Sequence, residues 1–371
     1  MSATVRTTLC DLFGIEHPIV GFSPSEHVAA AVSRAGGLGV LGAVRFNDPA
    51  ELDKTLDWMD AHTDGRPYGI DVVMPATVPA EGAAKDLDQL IPEQHKDFVQ
   101  ETLLKLGVPP LPGDAQAADG VLGWLHSIAR QHVEVALAHP ARLIANALGP
   151  PPPDVIASAH ERGMLVAALA GTAEHARRQV ASGVDIVVAQ GYEAGGHTGE
   201  IGSMVLIPEV VDAVGTRAMV LAAGGIGSGR QIAAALALGA QGVWMGSAWL
   251  ATEEYAQTTA APAVTEAVLK ATSSDTVRSR IFSGKPARLL KNRWTDAWEQ
   301  PGAPQPLGMP LQNLLVSEAH QRLFRSGQPD LVPMPAGQIV GRITEVRPVA
   351  AVMADLVEEA RQTLDRLNRL R

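Results

Sequence analysis

The chain has 371 residues, 46% of them hydrophobic and 19% charged, so it can bury a large core and is not a disordered polymer. Aromatics make up only 4% while glycine counts 36, a mix that suits Ala/Val/Leu helices and glycine turns better than an aromatic-rich β-sandwich. Lys and Arg total 30 against 40 Asp and Glu, and the net charge of −10 excludes a nucleic-acid footprint at whole-chain level.

The first residues, Met1 to Arg6, contain no apolar h-region, so no signal peptide is expected. The single thiol, Cys10, cannot pair internally, and nothing implies an oxidising compartment. The apolar, uncharged stretch 218–229 is far short of a membrane span. These features predict a soluble, cytoplasmic protein with no membrane partner.

Short apolar runs then recur along the chain, each closed by glycine or a polar turn and followed by an amphipathic stretch. They begin near Pro18, Leu38, Tyr68, Arg142, Met164, Asp185, Ala218 and Gly242. The spacings are 20, 30, 74, 22, 21, 33 and 24 residues, and all but one fit a βα unit. Eight such units close most economically into a (β/α)8 TIM barrel; a doubly wound open sheet is the alternative. Helices announce themselves between the runs. Asp48-Pro49 reads as an N-cap with proline at the first helical position, Thr172 opens a stretch that stops at Ser182-Gly183, and Ser228-Gly229 begins another.

Two stretches break the rhythm, which divides the chain into barrel (1–74), lid insertion (75–131), barrel (132–252), a second insertion (253–341) and a C-terminal barrel helix (342–371). Both insertions leave from strand C-terminal ends, where barrel active sites form, so they are expected to make a lid over one mouth.

The glycine pattern Gly37-Leu-Gly-Val-Leu-Gly42 matches GxGxxG, but it follows a helix and runs into a strand. The dinucleotide fingerprint needs the reverse order, so a helix stop is the better reading. Gly224-Gly225-Ile226-Gly227 after the seventh barrel strand and Gly246-Ser247 at the end of the eighth lie where barrels often hold phosphate. Tight βα turns also want glycine for its positive φ, so both readings stand. The richest run, Gln190 to Gly199 after the sixth barrel strand, places His197 between glycines on a catalytic-end loop, where an imidazole suits a general base. His126, His132 and His139 lack the i, i+4 spacing of a helical metal site, and no metal is expected. Cys10 precedes the first strand, which disfavours a catalytic-loop cysteine nucleophile.

The run Ala189-Gln190-Gly191 through His197-Thr198-Gly199, with Ala222 to Ile226, Ala235 to Ala240 and Met245 to Trp249, resembles the nitronate monooxygenase family, formerly called 2-nitropropane dioxygenase. That family also includes NADH-dependent flavin enoyl-thioester reductases. The resemblance covers most of the chain and is most specific across 185–250. It implies an FMN-binding barrel with a lid, a small-molecule substrate and a homodimer. By position, His197 would be the catalytic base, and Gly21, Phe22, Asp71, Gln190, Gly195, Gly196, Gly224, Gly225, Met245, Gly246 and Ser247 would line the FMN. Two departures stand out. The first strand ends Gly21-Phe22-Ser23-Pro24 where relatives have a Gly-Gly-Met-like run, and Asp71 stands where relatives often have asparagine.

Three functions compete on this evidence: nitroalkane or nitronate oxidation with O2, NAD(P)H-dependent reduction of an enoyl thioester carried on coenzyme A or acyl carrier protein, and a non-catalytic flavin-binding role. The segment 276–295 carries six basic residues (Arg278, Arg280, Lys285, Arg288, Lys291 and Arg293) and no acidic ones. A solvated or salt-bridged face is the plainer reading; a grip on NAD(P)H or acyl-CoA phosphates is the sharper one.

Overall fold

A computed structural model describes residues 5–74, 84–112, 126–258 and 261–370. The parts of the predicted first insertion at 75–83 and 113–125 lie outside the described residues.

All eight predicted strands form. In chain order the strands are β1 (Ile19–Ser23), β2 (Leu38–Gly42), β3 (Tyr68–Val72), β4 (Leu143–Asn146), β5 (Leu165–Ala170), β6 (Ile186–Gln190), β7 (Gly196–His197), β8 (Met219–Ala223), β9 (Gly242–Met245), β10 (Thr276–Ser279) and β11 (Ala287–Leu290). Strands β1 to β6, β8 and β9 form a closed barrel, all neighbours parallel, with β9 returning to β1. This is the (β/α)8 barrel, and the open-sheet alternative falls away.

Alternation along each strand separates two cores. Val20, Val40, Ala145, Ala167, Val188, Leu221 and Trp244 fill the barrel interior, while Ile70, Val72, Ile144 and Val166 face the helices. The interior core extends to Leu9, Cys10 and Phe13 of the first helix, Thr8–Phe13. The β-carbon that Gly242 lacks would stand 2.5 Å from Leu9, at the N-terminal end of β9. Cys10 is therefore buried at the face opposite the strand C-terminal ends.

The helix signals hold. Asp48 accepts from the Ala50 amide at 2.9 Å and opens Pro49–His62. Thr172 caps Ala173–Ala181, which stops before Gly183 at φ 95°, and Ser228 caps Gly229–Ala237. The C-terminal helix Val349–Asn368 packs on Gly229–Ala237 and on Glu26–Arg34, closing the helical ring. Gly39 of the GxGxxG pattern lies in β2, where an added β-carbon would stand 1.8 Å from the Ala29 carbonyl oxygen. Its smallness serves strand–helix contact.

The lid has its own core. Val99, Leu103 and Val108 pack with Ile281, Leu289, Trp294, Trp298 and Leu323. Arg322 ties the two insertions together, donating to the carbonyls of Val108 and Pro109 at 2.9 Å each. Helix His126–Ala138 crosses the predicted boundary at 131 and buries Ala129, Val133 and Ala136 against the barrel, so barrel packing resumes before 132. Among the described residues no helix is long and apolar enough to cross a membrane.

Candidate active site

Strand alternation brings Phe22, Asp71 and Gln190 to the inward face near the C-terminal mouth, in line with the interior residues Val20, Val188 and Trp244. Phe22 stacks on Trp244, ring centroids 6.1 Å apart. β-Carbons added at Gly42 and Gly246 would approach its ring to 3.1 and 3.6 Å, so both glycines leave it room. Asp71 is 4% exposed, and its carboxyl has no hydrogen-bonding or ionic partner among the described residues. Burial alone pushes that carboxyl well above the usual carboxylate range.

Two expected cofactor residues sit differently. Gly21 and Met245 lie on the opposite face of their strands. A β-carbon on Gly21 would meet Val32 at 2.7 Å, and the Met245 side chain is buried in the barrel–helix core. Only their backbones can reach the mouth; their side-chain faces serve strand–helix packing.

The loops after β6, β8 and β9 converge. Gly224 and Gly225 adopt φ of 94° and 69°, conformations that L side chains rarely tolerate. The Gly225 and Ile226 amides donate to no acceptor among the described residues. Glu193 holds its loop down: its carboxylate accepts from the Ser203 amide (3.0 Å) and hydroxyl (2.9 Å) at the start of helix Ser203–Val214, an end that favours negative charge. A returning segment at 335–339, invisible as a site in the sequence, completes the floor. The Gly337 amide donates to Ser247 Oγ at 2.8 Å, and a β-carbon on Gly195 would stand 2.7 Å from the Ala336–Gly337 backbone.

His197, expected on a loop, belongs with Gly196 to β7, which pairs antiparallel with lid strand β11 (Ala287 opposite His197). β11 pairs in turn with β10. The imidazole Nε2 hydrogen-bonds Ser283 Oγ at 2.7 Å, and Ser283 is itself 3% exposed. Burial, with a smaller contribution from the Lys285 cation, lowers the His197 pKa to about 4, so the ring is neutral at physiological pH. The eight residues from Gln190 to His197 thus run from barrel mouth to lid.

Two arginines of the basic segment hold this seam. Arg288, 2% exposed, donates to the Tyr192 carbonyl through Nε (3.1 Å) and Nη2 (2.9 Å) and to Thr276 Oγ1 through Nη1. It also stacks over the Tyr192 ring at 4.4 Å. Arg278 donates to the Thr198 carbonyl, and Arg293 pairs with Asp330. Arg288 spends three of its five N–H donors inside the protein and is buried, which makes it a poor grip for a ligand phosphate. Arg288→Ala should destabilise the protein by about 2 kcal/mol in denaturant unfolding, because the Tyr192 carbonyl loses two charge-assisted donors.

Two of the helix histidines noted in the sequence have partners within the protein. His132 is buried on the Phe46 carbonyl (3.0 Å), while His139 pairs with Asp60 (2.8 Å) and Asp53 (3.1 Å).

The site suits a phosphate-bearing planar cofactor: glycines at positive φ with unengaged amides at one end, and inward-facing Asp71 and Gln190 at the mouth. Comparison with known proteins gives this reading a lineage. The family model for nitronate monooxygenase matches residues 6–359. A candidate monooxygenase of Mycobacterium tuberculosis is 52% identical, over 99% of both chains. A candidate nitronate monooxygenase of Staphylococcus aureus is 27% identical, over 97% of this chain and 98% of that one. Among solved structures, nitroalkane oxidase from Streptomyces ansochromogenes superposes with a TM-score of 0.80 at 29% identity, covering 97% of this chain and 100% of that one. FabK from Thermotoga maritima reaches 0.74 at 27% identity, covering 99% and 100%. Barrel, lid and sequence together make this chain an oxidoreductase of the nitronate monooxygenase family, whose members are flavin-dependent.

Proposed function

We propose that this chain is an FMN-dependent enzyme that oxidises nitroalkanes or nitronates with O2, with His197 as the base. The observation that carries the reading is the neutral His197 imidazole held by Ser283 at the barrel–lid seam. A base with a lowered pKa is a weak one, so it needs a substrate whose C–H is already acidic. The α-hydrogen of a nitroalkane meets that need, because the nitro group carries the charge left behind. His197 takes that proton, and the Ser283 hydrogen bond fixes the ring while it does so. Lid strands β10 and β11 cover the base and limit access of water.

Gly224, Gly225, Gly246 and Ser247 would hold the FMN phosphate, and Gln190 and Asp71 would meet the polar edge of its ring. When bound, FMN supplies the electron acceptor that links substrate oxidation to O2. The likeness to nitroalkane oxidase supports this reading, and the likeness to FabK keeps the reductase alternative in the test. The experiment is anaerobic mixing of the purified holoenzyme with a nitronate, NADH and NADPH in parallel. Fast flavin bleaching by the nitronate is expected; bleaching by a nicotinamide alone, followed by reoxidation with an enoyl thioester, would overturn the reading.

The purified protein should be yellow, with FMN bound non-covalently. Gly225→Val should lose the flavin, since a β-branched residue resists φ near 69° and its β-carbon would press on Glu193 at 3.2 Å. Full FMN absorbance in that variant would remove Gly225 from the phosphate site.

A further inference from the structure

Asp71 is an unusual occupant of a barrel mouth. It faces inward near the C-terminal end of β3, with Gly42 and Ala145 as its register partners on β2 and β4. Both neighbours are small, so the carboxyl is not wedged between bulky side chains. The other large residues that face inward toward the mouth, Phe22, Leu169, Gln190 and Trp244, carry no charge. No cation, amide or hydroxyl among the described residues pairs with Asp71. An ionised carboxylate left alone in such a place would be very costly. Burial is also the sole cause of its raised pKa; no charged group contributes in either direction.

A protonated carboxyl differs from a carboxylate in kind. The carboxylate only accepts hydrogen bonds, whereas the acid offers one O–H donor beside one C=O acceptor on a single edge. That edge is complementary to an imide, which presents an N–H beside a carbonyl. The flavin ring has such an edge on its pyrimidine side.

We propose that Asp71 works as an uncharged carboxylic acid that pairs, through one donor and one acceptor, with the imide edge of the flavin ring, so that flavin binding is linked to one proton on this side chain. The inference rests on the FMN reading above. It assigns Asp71 a role in cofactor recognition and makes holoenzyme formation sensitive to alkaline pH. Ionisation removes the donor and sets a negative charge against the ring carbonyl, so affinity falls as pH rises through the range where Asp71 loses its proton.

The test is FMN affinity of the apo-protein, read by quenching of flavin fluorescence from mildly acidic to alkaline pH, for the natural protein and Asp71→Asn. Asparagine keeps the donor–acceptor edge and cannot ionise. The FMN phosphate and ring N–H titrate alike in both experiments, so the difference between the curves isolates Asp71. The natural protein should weaken toward alkaline pH with a slope approaching tenfold in Kd per pH unit, the limit for one linked proton, and Asp71→Asn should lack that slope. A second readout needs no flavin. The infrared spectrum of ligand-free protein with labelled aspartate should show a protonated-carboxyl C=O band at neutral pH that Asp71→Asn removes. Parallel pH curves, or no such band, overturn the proposal while leaving FMN dependence intact. No FMN binding at any pH overturns both.

Discussion

Replacing His197 with asparagine is expected to lower turnover of a neutral nitroalkane by about 10²–10⁴-fold while sparing the preformed nitronate, which has no α-proton left to give. Asparagine keeps a polar group of similar reach beside Ser283, so packing at the β7–β11 seam is little disturbed. Stopped-flow comparison of the two substrate forms makes the test. Equal loss on both would assign His197 to positioning or electrostatics, and unchanged rates on both would make it a packing residue. The same ring should set the acid limb of the natural enzyme. Its pKa is lowered from 6.5 to about 4, so kcat/KM for the nitroalkane should hold through pH 6 and fall only toward pH 4. Stability follows the same sign. Between about pH 6.5 and 4 the unfolded chain binds the proton that the folded imidazole refuses, so His197 makes the fold less stable as the solution is acidified. The asparagine variant should lack that contribution in a thermal-unfolding series across the window.

The largest expected effect on folding belongs to Gly39. Alanine there would drive its β-carbon to 1.8 Å from the Ala29 oxygen and 2.5 Å from its carbonyl carbon, both backbone atoms of helix Glu26–Arg34. No rotamer change relieves a clash with main chain, so helix and strand must separate. Gly39→Ala should cost about 3 kcal/mol or more, beyond the usual range for overpacking, and is expected to lower soluble yield. Gly308→Ala is the control: no atom lies within 4 Å of the added carbon, and the change should fall within about 0.5 kcal/mol of neutral. Denaturant midpoints for the two variants decide the matter, and equal midpoints would show that the β2 contact yields more easily than its geometry suggests.

The barrel was legible because each of its units is local. A short apolar run, a glycine turn and a capped helix all lie within about thirty residues, and Asp48, Thr172 and Ser228 cap where their chemistry says they should. The face each strand residue turns inward was harder to read. Ile19, Val20, Gly21 and Phe22 are apolar on both sides, as buried parallel strands are, so hydropathy alone could not tell that Phe22 looks into the barrel while Gly21 meets Val32. The lid contribution was not legible at all. Ser283 meets His197 across 86 residues of sequence, and Gly337 meets Ser247 across 90. Nothing in the composition around Ser283 or Gly337 announces those meetings. The two-residue strand at Gly196–His197 exists only because β11 arrives to pair with it. The basic segment was visible as charge, but its main employment, Arg288 on the Tyr192 carbonyl, depends on a fold that brings positions 96 residues apart together.

The pairing of β7 with β11 has a mechanical meaning. The segment bearing His197 is stitched at one end to the barrel wall through Gln190 and at the other to the cover through Ala287 and Arg288. Cover and imidazole are therefore geared together, like a latch whose bolt is also the key. Any excursion that lifts β11 to admit a molecule pulls on the imidazole and its Ser283 partner, and only reseating restores both. If His197 is the proton acceptor, as proposed, a molecule admitted by lifting β11 would meet it in place only once β11 had reseated.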